Sequence, residues 1–498
     1  MIRRTHLFVM FLILTAVSTS ACLGADKTAD GWPGWRGANR DGKSSDTGLL
    51  KSWPEDGPKR LWSLSGIGSG YSSVSAGGGM IYTAGHKDGQ LQLTAIDSDG
   101  KVKWSKGVTS ATGKGPKGAR ATPTYDGGNL YMESGNGAVG CYDAKTGRQK
   151  WANSFKAFGA RTPGWAFSES VLIVGKLAVV SPGGKNFMVA FNKTTGAVVW
   201  RSGQYGSAHY SSPIYVVYRG VPMIINGGRN GLIGVNAKTG KILWTQDFAT
   251  GNTANCPTPA FSDGYVFWSV GYGKGSVCVK LSVSGSRVSA KTAWKTRDMV
   301  CHHGGFVILD GFIYGNHSGG WTCLDLKTGD KQWYERGVGK GSICYADGML
   351  YLFGERGGKA GLAAVSPKGF ELAGTVSVSG RGPSWAHPVV TGGRLYLRYD
   401  DNLYCFDVKD PTKVVAKPPT TIRTLLTKDP IVRPRPKPIT AISADAKAAR
   451  QLKLAEAYLR FGRKDKAASI YKQIVADSPN TDAAKTAAKK LQDLTGTK

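Results

Sequence analysis

Apolar positions along this chain fall into three regimes, each with its own spacing. Leu7 to Val17 form one unbroken apolar stretch behind Arg3 and Arg4. From about residue 60 to about residue 410 the apolar residues come instead in short runs between Gly, Asp and Asn, and one frame recurs. Its clear copies run from Ala95 to Trp104, Cys141 to Trp151, Ala190 to Trp200, Gly234 to Trp244 and Cys323 to Trp333. Looser ones end at Trp294 and near Phe370, and a truncated one stops at Asp407. Short runs bounded by turn formers predict strands. From Ala444 the spacing becomes three-and-four, through Leu452, Ala455 and Leu459, then Ala467, Ile470, Tyr471 and Ile474, and predicts helices parted at Gly462.

Within the middle region each copy of the frame follows a turn and a further strand. Eight such units begin at Gly79, Asp126, Gly175, Gly220, Asp263, Asp310, Asp347 and Gly392. In the frame itself a small residue precedes Asp or Asn, which turns the chain by bonding its own backbone; a glycine supplies positive φ, and the next strand ends in Trp. Trp62, Trp104, Trp151, Trp200, Trp244, Trp294 and Trp333 lie 39 to 50 residues apart, the length of a four-stranded propeller blade. A bulky indole once per unit suits the gap between wedge-shaped neighbouring sheets, so these seven are expected to dock the blades. Trp62 has no turn-strand unit before it, and the unit at Asp407 has no Trp strand after it. The Leu61 strand is therefore expected to complete the blade ending at Phe406. The predicted fold is all-β, an eight-bladed β-propeller over 32–410 closed by its N-terminal strand.

The ends add three segments. Residues 1–25 read as an export signal, and two endings fit: cleavage after Ala25, or lipid attachment at Cys22 in Ser20-Ala21-Cys22. Residues 411–443, rich in Pro, Lys and Arg, read as an extended basic linker. Residues 444–498 form the small helical tail.

Composition agrees with this reading. Gly 69, Trp 14 and Tyr 20 favour turns and pleated sheet. The net charge of +31 favours a basic surface and attraction to anionic envelope polymers; an exported chain is not expected to meet nucleic acid. The seven cysteines beyond Cys22 include no adjacent pair and no Cys-x-x-Cys, which argues against a disulfide framework or zinc site. Cys141, Cys323 and Cys405 take the place held by Ala95 and Ala190 and read as small core residues. The loop Gly113 to Gly118 lacks a phosphate loop's Gly-Lys-Ser/Thr ending and reads as exposed.

Residues that break the repeat are better candidates for function. Just before the innermost strand of each blade stand Tyr71, Arg120, Trp165, His209 with Tyr210, Asn255, His302 with His303, Lys340 and Trp385. They are expected at one mouth of the central channel, where aromatic, imidazole, amide and cationic groups would take a flat or anionic ligand. As strand neighbours, His302 and His303 are expected to face opposite sides, so no metal site is expected there.

The Ala-x-Asp-x-x-Thr-Gly-x-x-x-Trp frame resembles the pyrroloquinoline-quinone-like (PQQ-like) repeat of quinoprotein dehydrogenases and of the propeller subunit of the outer-membrane barrel-assembly machine. Trp32 to Gly42 resembles the opening motif of many uncharacterised bacterial propellers of this class. In the tail, Ala457, Tyr458, Gly462, Ala467, Tyr471 and Pro479 fall where a tetratricopeptide unit places its small, aromatic and terminating residues. The resemblance implies an exported, periplasmic or envelope-associated binding or scaffolding protein with envelope proteins as partners. The alternative it implies is a quinone-dependent alcohol or sugar dehydrogenase using PQQ with calcium. That activity typically adds a vicinal cysteine pair and a Glu, Asn and Asp calcium site; no such pair is present, and the calcium ligands find no one-by-one match.

Overall fold

The computed structural model describes residues 31–248, 255–413 and 448–495, the last with gaps at 450, 453–454, 457 and 460–463. The leader with Cys22 and all of the basic linker beyond Lys413 lie outside the described residues. Two units are distinguished, one to Leu426 and one from Thr427.

The first unit is an eight-bladed propeller of four-stranded antiparallel sheets. Seven blades are continuous in sequence, at 75–110, 124–154, 172–201, 214–247, 260–296, 306–335 and 341–377. The eighth joins Val389–Thr391, Arg394–Tyr399 and Asn402–Asp407 to Arg60–Leu64, with Trp62 opposite Cys405, as the two sequence fragments predict. Closure in this way leaves the ring no free break at which a blade could be added or lost.

Each part of the repeat has a mechanical task. The small residue lies directly across from the indole, in the pairs Ala95 with Trp104, Cys141 with Trp151, Ala190 with Trp200 and Cys323 with Trp333. A bulge follows at once in every one, turning the outer strand. The indole then reaches across the seam. Trp104 Nε1 donates to Ala144 O, Trp151 to Lys193 O, Trp200 to Ala237 O and Trp294 to Leu326 O, always in the turn of the next blade. Trp62 donates to Ser98 O and so fastens the eighth blade to the first. The turn glycine serves twice: Gly240 has φ +72°, and a β-carbon there would lie 2.4 Å from the Trp200 ring. Trp244 Nε1 has no acceptor among the described residues, because the following blade replaces the turn with the long hairpin of Gly275–Ser284 and Arg287–Thr296.

The opening motif fills the axis. Trp32 O accepts from Ala76 N of the first blade, and Pro33 O from Tyr125 N of the second. Arg40 donates to Ser170 O and Val171 O of the third and to Pro213 O at the fourth. Trp35 donates to Thr258 Oγ1 at the fifth (2.8 Å), and Arg36 to Phe306 O of the sixth (2.5 Å). Gly42 O accepts from Tyr345 N of the seventh, and Asp46 accepts from Gly393 N of the eighth. A segment that bonds the inner edge of all eight blades lies inside the ring, so the channel is plugged. Arg36 and Arg40 are 3% and 5% exposed and hold left-handed backbone, φ 60° and 57°. Such strain persists where surrounding contacts over-determine it.

Two buried carboxyls lie beside the plug. Glu169 N donates to Glu133 Oε1, and Asn226 donates to Glu169 Oε2. Burial raises Glu169 to about 8, with Ser181 and the Arg40 charge opposing, while burial and then the Glu169 charge raise Glu133. A carboxyl raised in the fold holds its proton where the unfolded chain has lost it. The contribution of Glu169 to stability should therefore fall as pH rises from about 4.5 to about 8, with a slope up to about 1.4 kcal/mol per pH unit from that group, and Glu133, raised as well, adds to the fall. Urea unfolding at several pH values checks this, and Glu169→Gln should flatten the slope across that window.

In the second unit, Lys464–Asp477 and Asp482–Thr495 form α1 and α2, preceded by helical residues between 448 and 459. Ala455, Ala467, Tyr471 and Ile474 pack in its core at the spacing the sequence predicts, and Ala487 joins them.

Candidate functional site at the channel mouth

The chain enters each inner strand through a loop on the same side of the disc, and these loops gather where the plug ends. Tyr71, Arg120, Trp165, His302, His303 and Trp385 line one cavity of about 320 Å³. Lys340 stands beside it, donating to His302 Nδ1 (2.8 Å) and pairing with Glu355 Oε2 (2.8 Å). The other two candidates lie elsewhere. His209 lines a neighbouring cavity, its ring 4.7 Å from that of Tyr210. Asn255 is fully buried and donates to Gly228 O, so its amide serves the loop rather than the mouth.

Aromatic rings dominate the lining. Trp385 lies 4.6 Å from Tyr71 and 5.3 Å from His303; Trp165 lies 5.4 Å from Tyr210 and 6.0 Å from Tyr272, nearly parallel to the latter. Trp35 of the plug also lines the cavity, its ring 4.5 Å from His387. The site is thus a cup closed by the plug at its inner end.

One expectation is corrected. Residues 301–304 are not strand but a bend ahead of Phe306–Leu309, so the alternation that would separate His302 and His303 does not apply. Both rings turn to the same wall, 5.0 Å apart, and with Glu355 bring potential ligand atoms within 4.8 Å of one another. The Lys340 ammonium already bridges His302 and Glu355 within this cluster. An ammonium only donates, so His302 Nδ1 accepts and the ring proton sits on Nε2. Burial, and then the charge of His303 and Lys340, lowers His302 to about 3, so it stays neutral. Burial alone would raise Glu355, but its contacts with His303, Lys340 and Trp385 outweigh this and hold it ionised. His387 ties the wall to the plug: it accepts from Arg36 and donates to His303 O (3.0 Å).

Arg120 is less available than its type suggests. Its guanidinium donates to Lys114 O (3.0 Å) and Pro116 O (2.5 Å), holding the Gly113 to Gly118 loop against the rim.

Trp35, Tyr272, Cys256 and Glu355 also belong to the site and were not among the sequence candidates. Trp35 lies in a motif whose paired tryptophans and arginines break the repeat, a legible signal. Tyr272, which takes φ 54° in its turn, is marked in the sequence only as an aromatic residue between Gly271 and Gly273. Glu355 carries no such mark.

Comparison with known proteins fits the propeller fold. Residues 112–335 match the PQQ_2 family, described as outer membrane protein assembly factor BamB. A curated relative, outer membrane protein assembly factor BamB of Shewanella oneidensis, is 28% identical over 24% of this chain; the match spans about a third of that protein's length, 32%. The crystal structure of BamB from Moraxella catarrhalis aligns with a TM-score of 0.52 at 14% identity, covering 70% of this chain and 97% of that one. Quinohemoprotein alcohol dehydrogenase from Comamonas testosteroni aligns at 0.56 and 11% identity, covering 77% and 81%. At such identities the structures share the fold.

Proposed function

We propose that this chain, a β-propeller of PQQ-like repeats, is an envelope binding and scaffolding protein that holds a flat aromatic ligand in the cup at its channel mouth. The observation that carries the reading is the cup itself: five large aromatic side chains from separate loops, Tyr71, Trp165, Tyr210, Tyr272 and Trp385, around one cavity that the plug closes from within. Cavities of this size with an apolar lining and few polar groups are the usual form of small-molecule sites. The envelope setting is supported by the export-like leader and by likeness to proteins described as outer-membrane assembly factors. In that setting the partners are outer-membrane assembly proteins or anionic envelope polymers.

The dehydrogenase reading meets a chemical obstacle. Calcium takes six to eight oxygen ligands, chiefly carboxylates and carbonyls, and among the described residues the carboxylate at the cavity wall, Glu355, is already engaged by Lys340 and Trp385. Among the described residues Cys256 is the sole cysteine on its wall, with its thiol raised by burial to about 12. The residues present do not fit a calcium-bound quinone, and no redox step is assigned to them.

Titration with riboflavin, a flat tricyclic probe, tests the reading by quenching of tryptophan fluorescence. Saturable binding of one molecule per chain is expected; a linear, unsaturable signal would refute the cup as a site.

A further inference from the structure

The cup does not end at Trp165 and Tyr210. Those two side chains also line a second cavity, of about 430 Å³, together with Arg161, Ser207, His209 and Arg229. They form a shared wall: Trp165 N–H donates to Tyr210 Oη (3.3 Å), and Trp165 is 37% exposed. Arg161 follows the short helical turn Phe155–Phe158, and Arg229 sits in the turn between Val221–Gly227 and Gly231–Asn236. Both side chains are exposed.

The two compartments differ in what their cations are doing. In the cup, Arg120 is engaged by loop carbonyls and Lys340 by His302 and Glu355. In the side cavity no carboxylate is among the lining residues, and neither Arg161 nor Arg229 has an ion-pair partner among the described residues. Two guanidiniums on the wall of one cavity, without an ion-pair partner among the described residues, are suited to a phosphate or carboxylate, which they can bind by charge-assisted forks.

We infer that the ligand is bipartite: a flat ring stacked in the cup and an anionic arm passing the Trp165–Tyr210 wall to Arg161 and Arg229. This rests on the cup reading above and adds the ligand's charge and its direction. Riboflavin and flavin mononucleotide share one ring system and differ by a phosphate on the arm, so together they separate the two claims. The full chain should bind the mononucleotide roughly tenfold more tightly than riboflavin. In the Arg161→Gln, Arg229→Gln double variant that advantage should vanish, leaving riboflavin affinity unchanged, which also reports an intact fold. Equal affinities in the unaltered chain would overturn the bipartite ligand while sparing the cup. An advantage that survives in the double variant would place the phosphate elsewhere and overturn it as well. Binding of neither flavin would remove the cup reading and this inference together.

Discussion

Arg40→Ala lowers the stability of the propeller by about 3–5 kcal/mol, the order expected when several buried hydrogen bonds to one charged group are lost together. Three carbonyls, those of Ser170, Val171 and Pro213, lose their donor at once, and each buried unpaired group costs about 1–3 kcal/mol. The loss also removes the charge that lowers Glu169, so its carboxyl becomes still more reluctant to ionise. Urea unfolding followed by fluorescence reads the effect as a fall in midpoint with an unchanged slope. Arg40→Lys should recover only part of it, since an ammonium keeps the charge but not the planar fork that spans two blades. A stability within about 1 kcal/mol of the unaltered chain would mean that the opening motif decorates the ring rather than holding it.

Trp385→Ala weakens riboflavin binding about thirtyfold. Truncating a central aromatic anchor typically costs about 2 kcal/mol or more, and about 1.4 kcal/mol is tenfold in affinity. The indole is fixed on both sides, by Tyr71 at 4.6 Å and by its Nε1 bond to Glu355 Oε1 at 2.8 Å, so little ordering is left for the ligand to supply. Trp385→Phe keeps an aromatic face and should retain most of the affinity. Isothermal titration of the three proteins decides it; equal affinities would show that the ring is bystander to binding.

Much of the fold was legible because a propeller writes the same physical problem eight times. The need for a small residue opposite Trp, an Asp or Asn turn and a positive-φ glycine repeats from Ala95 to Asp407, and even the closure of Arg60–Leu64 onto Asn402–Asp407 follows from two incomplete copies. The plug was not legible, since Trp32 to Gly42 occurs once and its partners lie on eight different blades. The site was legible in outline for the same reason: residues preceding each inner strand share one side of the disc. What periodicity could not convey was local loop shape. His302 and His303 face one wall because the chain bends there, and Asn255 turns inward to Gly228. Glu355, in the turn after Met349–Gly354, becomes relevant only once Lys340 and Trp385 are brought to it.

The most direct test of the central claim is a crystal structure of the full chain grown with riboflavin. The flavin ring should lie within the cup, stacked between the Trp165 and Trp385 sides, with Trp32 to Gly42 threaded along the axis beneath it. A flavin bound on the outer rim, or an open channel with that segment displaced, would contradict it.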